Sequence, residues 1–164
     1  MRIIAIATAA ALAAGLASAA QAAPAVVEVA IGPQLQAKAD KVYGARDVRE
    51  LADQLRRQVE RELGKTGAYD GARIELVLAD ATPNRPTFKQ LGDRPGLSPL
   101  SHGVGGAEIG GRIVAADGQE TPVHYRYYET DIRHSYGQAT WTDAETSLDQ
   151  FARRLARGKA LASR

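Results

Sequence analysis

Three histidines are the residues best suited to catalysis in this chain of 164 residues. A zinc ion that activates water needs three protein ligands, and imidazole nitrogen is one of the donors that zinc prefers. None of the histidines lies at a short ligand spacing from another, so a shared metal would require the fold to bring them together. These residues are His102, His124 and His134. With nearby carboxylates they support one hypothesis, a small envelope hydrolase assisted by a metal ion.

Other catalytic motifs do not fit. The glycines between positions 103 and 111 lack the dinucleotide pattern, because Glu108 stands where the last glycine is needed and a strand is predicted to follow. Ser98 and Ser101 lie close to His102, but neither sits in a Gly-x-Ser-x-Gly elbow. The chain has no cysteine, which excludes thiol catalysis and disulfides. We therefore assign no catalytic residue, no metal ligand and no cofactor.

A second group of residues suits binding better than catalysis. Residues 124–128 read His-Tyr-Arg-Tyr-Tyr, and strand alternation places the first, third and fifth side chains on one face. We expect this face to be exposed to water. Its candidate binding residues are Arg112, His124, Arg126 and Tyr128. Such a polar, aromatic surface would suit a sugar, an anionic polymer of the envelope or a partner strand.

The segment 83–106 supplies two more candidates. It is rich in proline and glycine, which predicts one long loop without regular structure, and loops of this length are often functional. Arg85 lies in a rigid Asn-Arg-Pro turn, and Phe88 is apolar within a polar stretch. We expect Phe88 to fix the loop to the core, with contact to a partner as the alternative.

Two helices are predicted from apolar residues that recur at three- and four-residue steps. The first spans Asp47–Leu63, begins with an Asp–Glu capping box and stops at Gly64. The second spans Thr142–Leu155 and begins with a Thr–Glu capping box. Both present one apolar face, so both require a sheet or another helix to cover it.

Alternating apolar residues predict four strands. Two are separate and two form a hairpin, at Val26–Ile31, Arg73–Ala81, Ala107–Ala115 and Thr121–Thr130. A three-residue turn at 116–118 keeps the apolar side chains of the hairpin on one face, with Ile109 opposite Tyr125. The polar segment 34–44 is ambiguous and fits a mixture of loop and helical turn.

This order of elements predicts an α+β fold, β-α-β-long loop-β-β-α. Two amphipathic helices can cover only one face of the sheet, so we expect a two-layer sandwich with a mostly antiparallel sheet of about four strands. The other face is then left to water.

The first 22 residues indicate export. A charged start, an apolar run and the small residues Ala20-Gln21-Ala22 are typical of a signal peptide cleaved after Ala22, with Ala19 as the alternative. The prediction is a signal peptide at 1–22 and one globular domain at 23–164, whose tail at 158–164 frays. The protein would then be periplasmic or secreted, with no stable membrane insertion after cleavage.

The charge balance argues against nucleic-acid binding. Removal of Arg2 with the leader leaves 20 of the 21 basic residues against 19 acidic ones. A near-neutral chain lacks the concentrated positive charge that nucleic-acid binding needs.

Four segments stand in a distinctive order along the chain. They are Ile31-Gly32-Pro33, residues 76–87, Gly103–Ala107, and residues 127–133 with Trp141. This order resembles a family of small exported bacterial proteins of unknown function, over roughly residues 26–155. The resemblance implies a periplasmic role without enzymatic activity. The leading hypothesis is thus an accessory or binding domain for an envelope protein or an anionic envelope polymer.

Overall fold

The computed structural model describes residues 25–135 and 138–159. The predicted signal peptide at 1–22 and the end of the predicted tail lie outside the described residues, so both stay predictions. None of the helices in these ranges is long and apolar enough to cross a membrane.

The four predicted strands form one sheet in the order β1-β2-β3-β4. Their bounds are β1 Val26–Ile31, β2 Arg73–Thr82, β3 Gly106–Val114 and β4 Glu120–Tyr128. The pairing of β1 with β2 is parallel, and the other two pairings are antiparallel. The prediction of a mostly antiparallel sheet is confirmed.

Helices cover one face of this sheet. The bounds are α1 Pro33–Lys38, continued by a π-helical turn at Ala39–Tyr43, then α2 Ala45–Thr66, α3 Phe88–Asp93 and α4 Thr142–Ala156, with a short 3-10 helix at Ile132–Ser135. The apolar stripes of α2 and α4 are buried against each other and against the sheet. The two-layer α+β architecture is therefore as predicted.

The register of the β3–β4 hairpin is the one derived from the sequence. Ile109 lies opposite Tyr125, and both are buried on the helix side. The Ala115 N–H donates to the Gln119 carbonyl at 2.9 Å across the turn. Gly118 has φ +85°, the left-handed conformation that a three-residue turn requires.

Both predicted boundaries of the first helix are wrong. It begins at Ala45, two residues early, and no side chain caps it, so Asp47 forms no capping box. It continues past Gly64 and ends where Gly67 adopts φ +64° and donates its N–H to the Leu63 carbonyl. The left-handed residue sets the end, because a glycine in helical geometry only weakens a helix.

The capping box predicted for the last helix is also absent. Trp141 occupies the N-cap position without a side-chain hydrogen bond to the helix. The Thr142 hydroxyl oxygen instead accepts the Ala139 N–H at 2.9 Å. The apolar stripe was the stronger signal, and Leu148 and Phe151 are fully buried.

Two segments contain more helix than the sequence analysis predicted. Residues 33–43 form α1 and the π-helical turn, with Leu35 and Ala39 buried. The segment 83–106 is not one structureless loop, because α3 lies within it and begins with a capping box of Thr87 and Gln90.

A β-bulge divides β2. Leu78 pairs with Ile109 and Asp80 pairs with Glu108, so Ala79 has no partner across β3. After the bulge, Ala81 is fully buried, whereas Asp80 lies on the face opposite the helices.

Candidate binding surfaces

The three histidines contact different neighbours. His124 Nε2 lies 3.0 Å from Glu108 Oε1 on the sheet, and His134 Nδ1 lies 3.2 Å from Glu129 Oε2 in the segment before α4. His102 is exposed in the segment between α3 and β3. Among residues 25–135 and 138–159 there is no group of three or more His, Asp or Glu side chains that could hold a metal ion. The metal-assisted hydrolase hypothesis gains no support from these contacts.

Four of the predicted binding residues lie together on the sheet face opposite the helices, which we call the open face. Its polar side chains are Glu28, Arg73, Glu75, Asp80, Glu108, Arg112, Glu120, His124, Arg126 and Tyr128. The alternation of β3 and β4 puts Arg112, His124, Arg126 and Tyr128 there, as the sequence predicted.

Arg112 is the best-neutralised cation of the open face. Its Nε lies 2.7 Å from Glu75 Oε2 and its Nη1 lies 3.3 Å from Glu120 Oε2. The hydrogen bond to Glu75, followed by the charges of Glu120 and Glu75, raises the pKa of Arg112. Glu75 also contacts Arg73 at 2.8 Å. Arg112 is thus already held by two carboxylates.

A second cluster occupies the other end of the open face. Arg126 lies 3.9 Å from Glu108 and its guanidinium sits 5.2 Å from the centre of the Tyr128 ring. The Tyr128 hydroxyl donates to Asp80 at 3.2 Å, and Lys38 Nζ lies 2.7 Å from the same carboxylate. Burial, followed by the charge of Asp80, raises the pKa of Tyr128 well above its ordinary value.

Acidic side chains therefore outnumber the arginines on the open face. Each predicted cation that an anionic polymer would contact already has a carboxylate beside it. A polymer would have to displace these ion pairs without a net positive field to attract it. These contacts fit a surface that faces water better than they fit a surface that binds anions.

The second candidate surface is a groove between the N-terminal parts of α2 and α4 and the segment 85–99. We call it the loop groove. It has a volume of about 860 Å³. Apolar side chains form much of its lining, namely Leu51, Pro86, Phe88, Leu91, Pro99 and Trp141.

The two loop candidates, Arg85 and Phe88, both line this groove but have different roles. Phe88 is 89% exposed, so the expectation that it fixes the loop to the core is wrong. Its position as the first residue of α3 turns the ring outward. Arg85 takes the fixing role, because its guanidinium donates to the carbonyls of Gln138 and Pro99.

A buried polar cluster that joins the segment after β2 to α4 was not predicted. Asn84 is 2% exposed and Asp143 is 6% exposed. Asn84 Nδ2 donates to Asp143 Oδ2 at 2.5 Å and to the Gly103 carbonyl at 3.3 Å. The Gly105 N–H donates to the same Asp143 oxygen at 2.9 Å. We call these four residues the Asn84–Asp143 clasp.

The clasp leaves no room for a side chain at Gly105. A Cβ there would lie 2.6 Å from the Thr82 carbonyl oxygen and 2.8 Å from Asn84 Oδ1. The clasp joins the end of β2, the start of β3 and the first turn of α4. The available sequence signal was an asparagine between two prolines, which indicates a turn and does not reveal its distant partner.

Comparison with known proteins adds little to this description. No family model matches the chain, and no curated protein matches it. Among solved structures the chain is similar to a minor lipoprotein from Acinetobacter baumannii, at 14% identity and a TM-score of 0.34, covering 81% of this chain and 88% of that one. At this TM-score the similarity carries no argument about the fold or the role of this chain.

Proposed function

We propose that this protein is a binding domain of the bacterial envelope that acts without catalysis and receives an apolar segment of a partner protein in the loop groove. The observation that carries the proposal is the exposure of Phe88, at 89%, beside that groove. The envelope location rests on the predicted signal peptide at 1–22.

Phe88 would gain free energy if a partner buried its exposed ring. A fully buried phenylalanine gains about 1.5–3 kcal/mol relative to an exposed one. A single exposed apolar residue is ordinary on a protein surface. Here the ring lies beside Leu91, Pro86 and Pro99, so a contiguous apolar lining is available to a ligand.

Side chains of both charges line the groove. Asp47 and Glu145 line the groove, and neither forms an ion pair with another described residue. Glu50 also lines it but contacts Arg57 at 2.9 Å. Arg46 and Arg85 also line the groove, so the charges of the lining favour neither sign of charge on the partner, and the apolar side chains define the segment that fits.

The groove is built before any partner arrives. Arg85 ties the segment 85–99 to main-chain carbonyls, and the Asn84–Asp143 clasp holds the residues on either side of that segment against α4. A preformed groove avoids the entropy cost of ordering its walls on binding. This favours the loop groove over the open face, whose charges are engaged with one another.

The test uses a photoreactive amino acid at position 88 of the full chain, produced in a bacterium from its complete coding sequence. Position 100 is the control, because Leu100 is 75% exposed but does not line the groove. We expect an adduct with one protein from position 88 and none from position 100. Equal adducts at both positions, or none at position 88, would contradict the proposal.

The captured protein is then purified and titrated against Phe88→Ala and Leu100→Ala. Loss of an aromatic anchor at an interface commonly costs about 2 kcal/mol, or about thirtyfold in affinity. We expect that loss for Phe88→Ala alone, with the unfolding free energy of both variants unchanged. Wild-type affinity in Phe88→Ala would rule out the groove as the binding site.

A further inference from the structure

The outer edge of β1 carries unpaired backbone groups. On the inner edge, the Val26 N–H donates to the Ala72 carbonyl and the Gly32 N–H donates to the Leu78 carbonyl. Strand geometry then directs the N–H and C=O groups of the odd-numbered residues away from β2. These residues are Val27, Val29 and Ile31, and no described residue pairs with their backbone groups.

The two edges of the sheet differ in their protection. Free strand edges are normally protected by proline or charge, because they otherwise pair with other chains. The β4 edge contains Pro122, Glu120 and Arg126. The β1 edge has the sequence VVEVAI, in which Glu28 is the one charged residue. Only the β4 edge therefore carries the usual protection.

We propose that β1 pairs antiparallel with β1 of a second copy of this chain, with Val29 opposite Val29. The two sheets then form one continuous sheet around a twofold axis. In this register Val27 lies opposite Ile31 of the other copy, so every outward-facing backbone group of the strand finds a partner. The helix-side residues of the two strands also stay on the same side of the joined sheet.

Charge and proline select this register over its neighbours. A shift by two residues in one direction places Glu28 opposite Glu28, which is repulsive. A shift in the other direction places Val27 opposite Pro33, which has no N–H to donate. In the proposed register Glu28 lies opposite Ala30, and both side chains are exposed on the open face.

The absence of cysteine from the sequence makes the register directly testable. The full chain is prepared as Glu28→Cys and as Ala30→Cys, and the two are oxidised separately and after mixing. Directly opposed residues in a pair without hydrogen bonds have Cα atoms about 4.5 Å apart, within disulfide range. Identical positions are offset by two residues along the strand, which puts them beyond about 7 Å.

We expect a disulfide-linked dimer from the mixture, in large excess over either variant alone. Val29→Pro removes an outward N–H that β2 does not use, so it should abolish the dimer in sedimentation while circular dichroism shows the fold retained. Equal cross-linking in all three samples, a dimer from one variant alone, or a monomeric wild-type protein by sedimentation would each overturn the proposal. Capture of a strand from another protein instead would also overturn it.

Discussion

Asn84 and Asp143, 59 positions apart in the chain, exchange two hydrogen bonds in the protein interior. Asn84 Nδ2 donates to Asp143 Oδ2 at 2.5 Å, and the Asp143 N–H donates to Asn84 Oδ1 at 2.9 Å. Because the same carboxylate oxygen accepts the Gly105 N–H, one side chain fastens three segments of the chain.

Two substitutions of Asp143 should distinguish the contribution of its hydrogen bonds to stability from that of its charge. Asp143→Ala leaves one N–H of the Asn84 amide and the Gly105 N–H buried without an acceptor, and we expect a loss of about 3 kcal/mol in unfolding free energy. Asp143→Asn can place its carbonyl oxygen where Oδ2 lies and keep both bonds, so we expect a loss under about 1 kcal/mol. Urea unfolding measures both. Equal losses would show that the charge, rather than the hydrogen bonds, holds the clasp.

Two adjacent glycines in β3 should differ sharply in their tolerance of substitution by alanine. Gly111 has φ +148°, and a Cβ there would lie 2.1 Å from the Glu75 carbonyl oxygen on β2. Gly110 has no atom within 4 Å of its Cβ position. We expect Gly111→Ala to cost more than about 2 kcal/mol in unfolding free energy and Gly110→Ala less than about 0.5 kcal/mol. Similar stability of the two variants would contradict the close approach of β2 and β3.

Tyr128 should make stability fall at high pH. Burial and the charge of Asp80 raise the pKa of Tyr128 in the folded protein. In the unfolded chain tyrosine ionises at about pH 10, so as pH rises the unfolded chain loses this proton before the folded protein does. The stabilisation is complete below that pH and is lost as pH rises toward the raised folded-state pKa. Tyr128→Phe removes this titration.

We therefore expect Tyr128→Phe to be less stable than the wild type by about 1 kcal/mol near neutral pH, since the hydrogen bond to Asp80 is lost. The difference should narrow above about pH 10, because only the wild type carries the Tyr128 penalty. Urea unfolding across this pH range measures it. Parallel curves for the two proteins would contradict the raised pKa.

The capping box of α3 should control local opening beside the groove. The Thr87 side chain accepts the Gln90 N–H, and Gln90 Oε1 accepts the Thr87 N–H at 3.0 Å. Thr87→Ala removes the cap and should lower the free energy of local opening of α3 by about 1 kcal/mol. The Gln90 amide should then exchange about five times faster. Thr87→Ser keeps the hydroxyl and is the matched control. Equal exchange of the Gln90 amide in both variants would show that the cap does not hold α3.

The hairpin shows what local pattern can predict. The alternation of β3 and β4 and the position of Gly118 were enough to pair Ile109 with Tyr125, because a register error would have mixed buried and exposed faces. The apolar stripes of α2 and α4 were predictable for the same reason. Burial on one side is a repeated signal, and each residue of the pattern confirms the others.

Single-residue signals were less reliable. Asp47 and Thr142 each begin an apparent capping box, but both helices begin without a side-chain cap. The capping box that does form, at Thr87, lies before a six-residue helix with no buried residue, so no apolar stripe marked it. Phe88 was expected to fix the loop to the core because it is apolar, whereas as the first residue of α3 it is exposed.

The clasp could not be predicted from neighbouring residues in the sequence. Asn84 follows β2 and Asp143 opens α4, and only the packing of α4 across β3 brings them together. Prediction from the chain alone therefore recovered the open face, whose residues share two strands, and missed the clasp, whose residues come from three separate segments.

The extra residue Ala79 determines on which face of the sheet the later side chains of β2 lie. A strand alternates sides with each residue, so one extra residue reverses the alternation beyond it. With an uninterrupted ladder, Asp80 would face the helices and Ala81 would face water. Chain length at this one position, independent of side-chain type, thus keeps a carboxylate out of the core and gives Tyr128 and Lys38 a common acceptor.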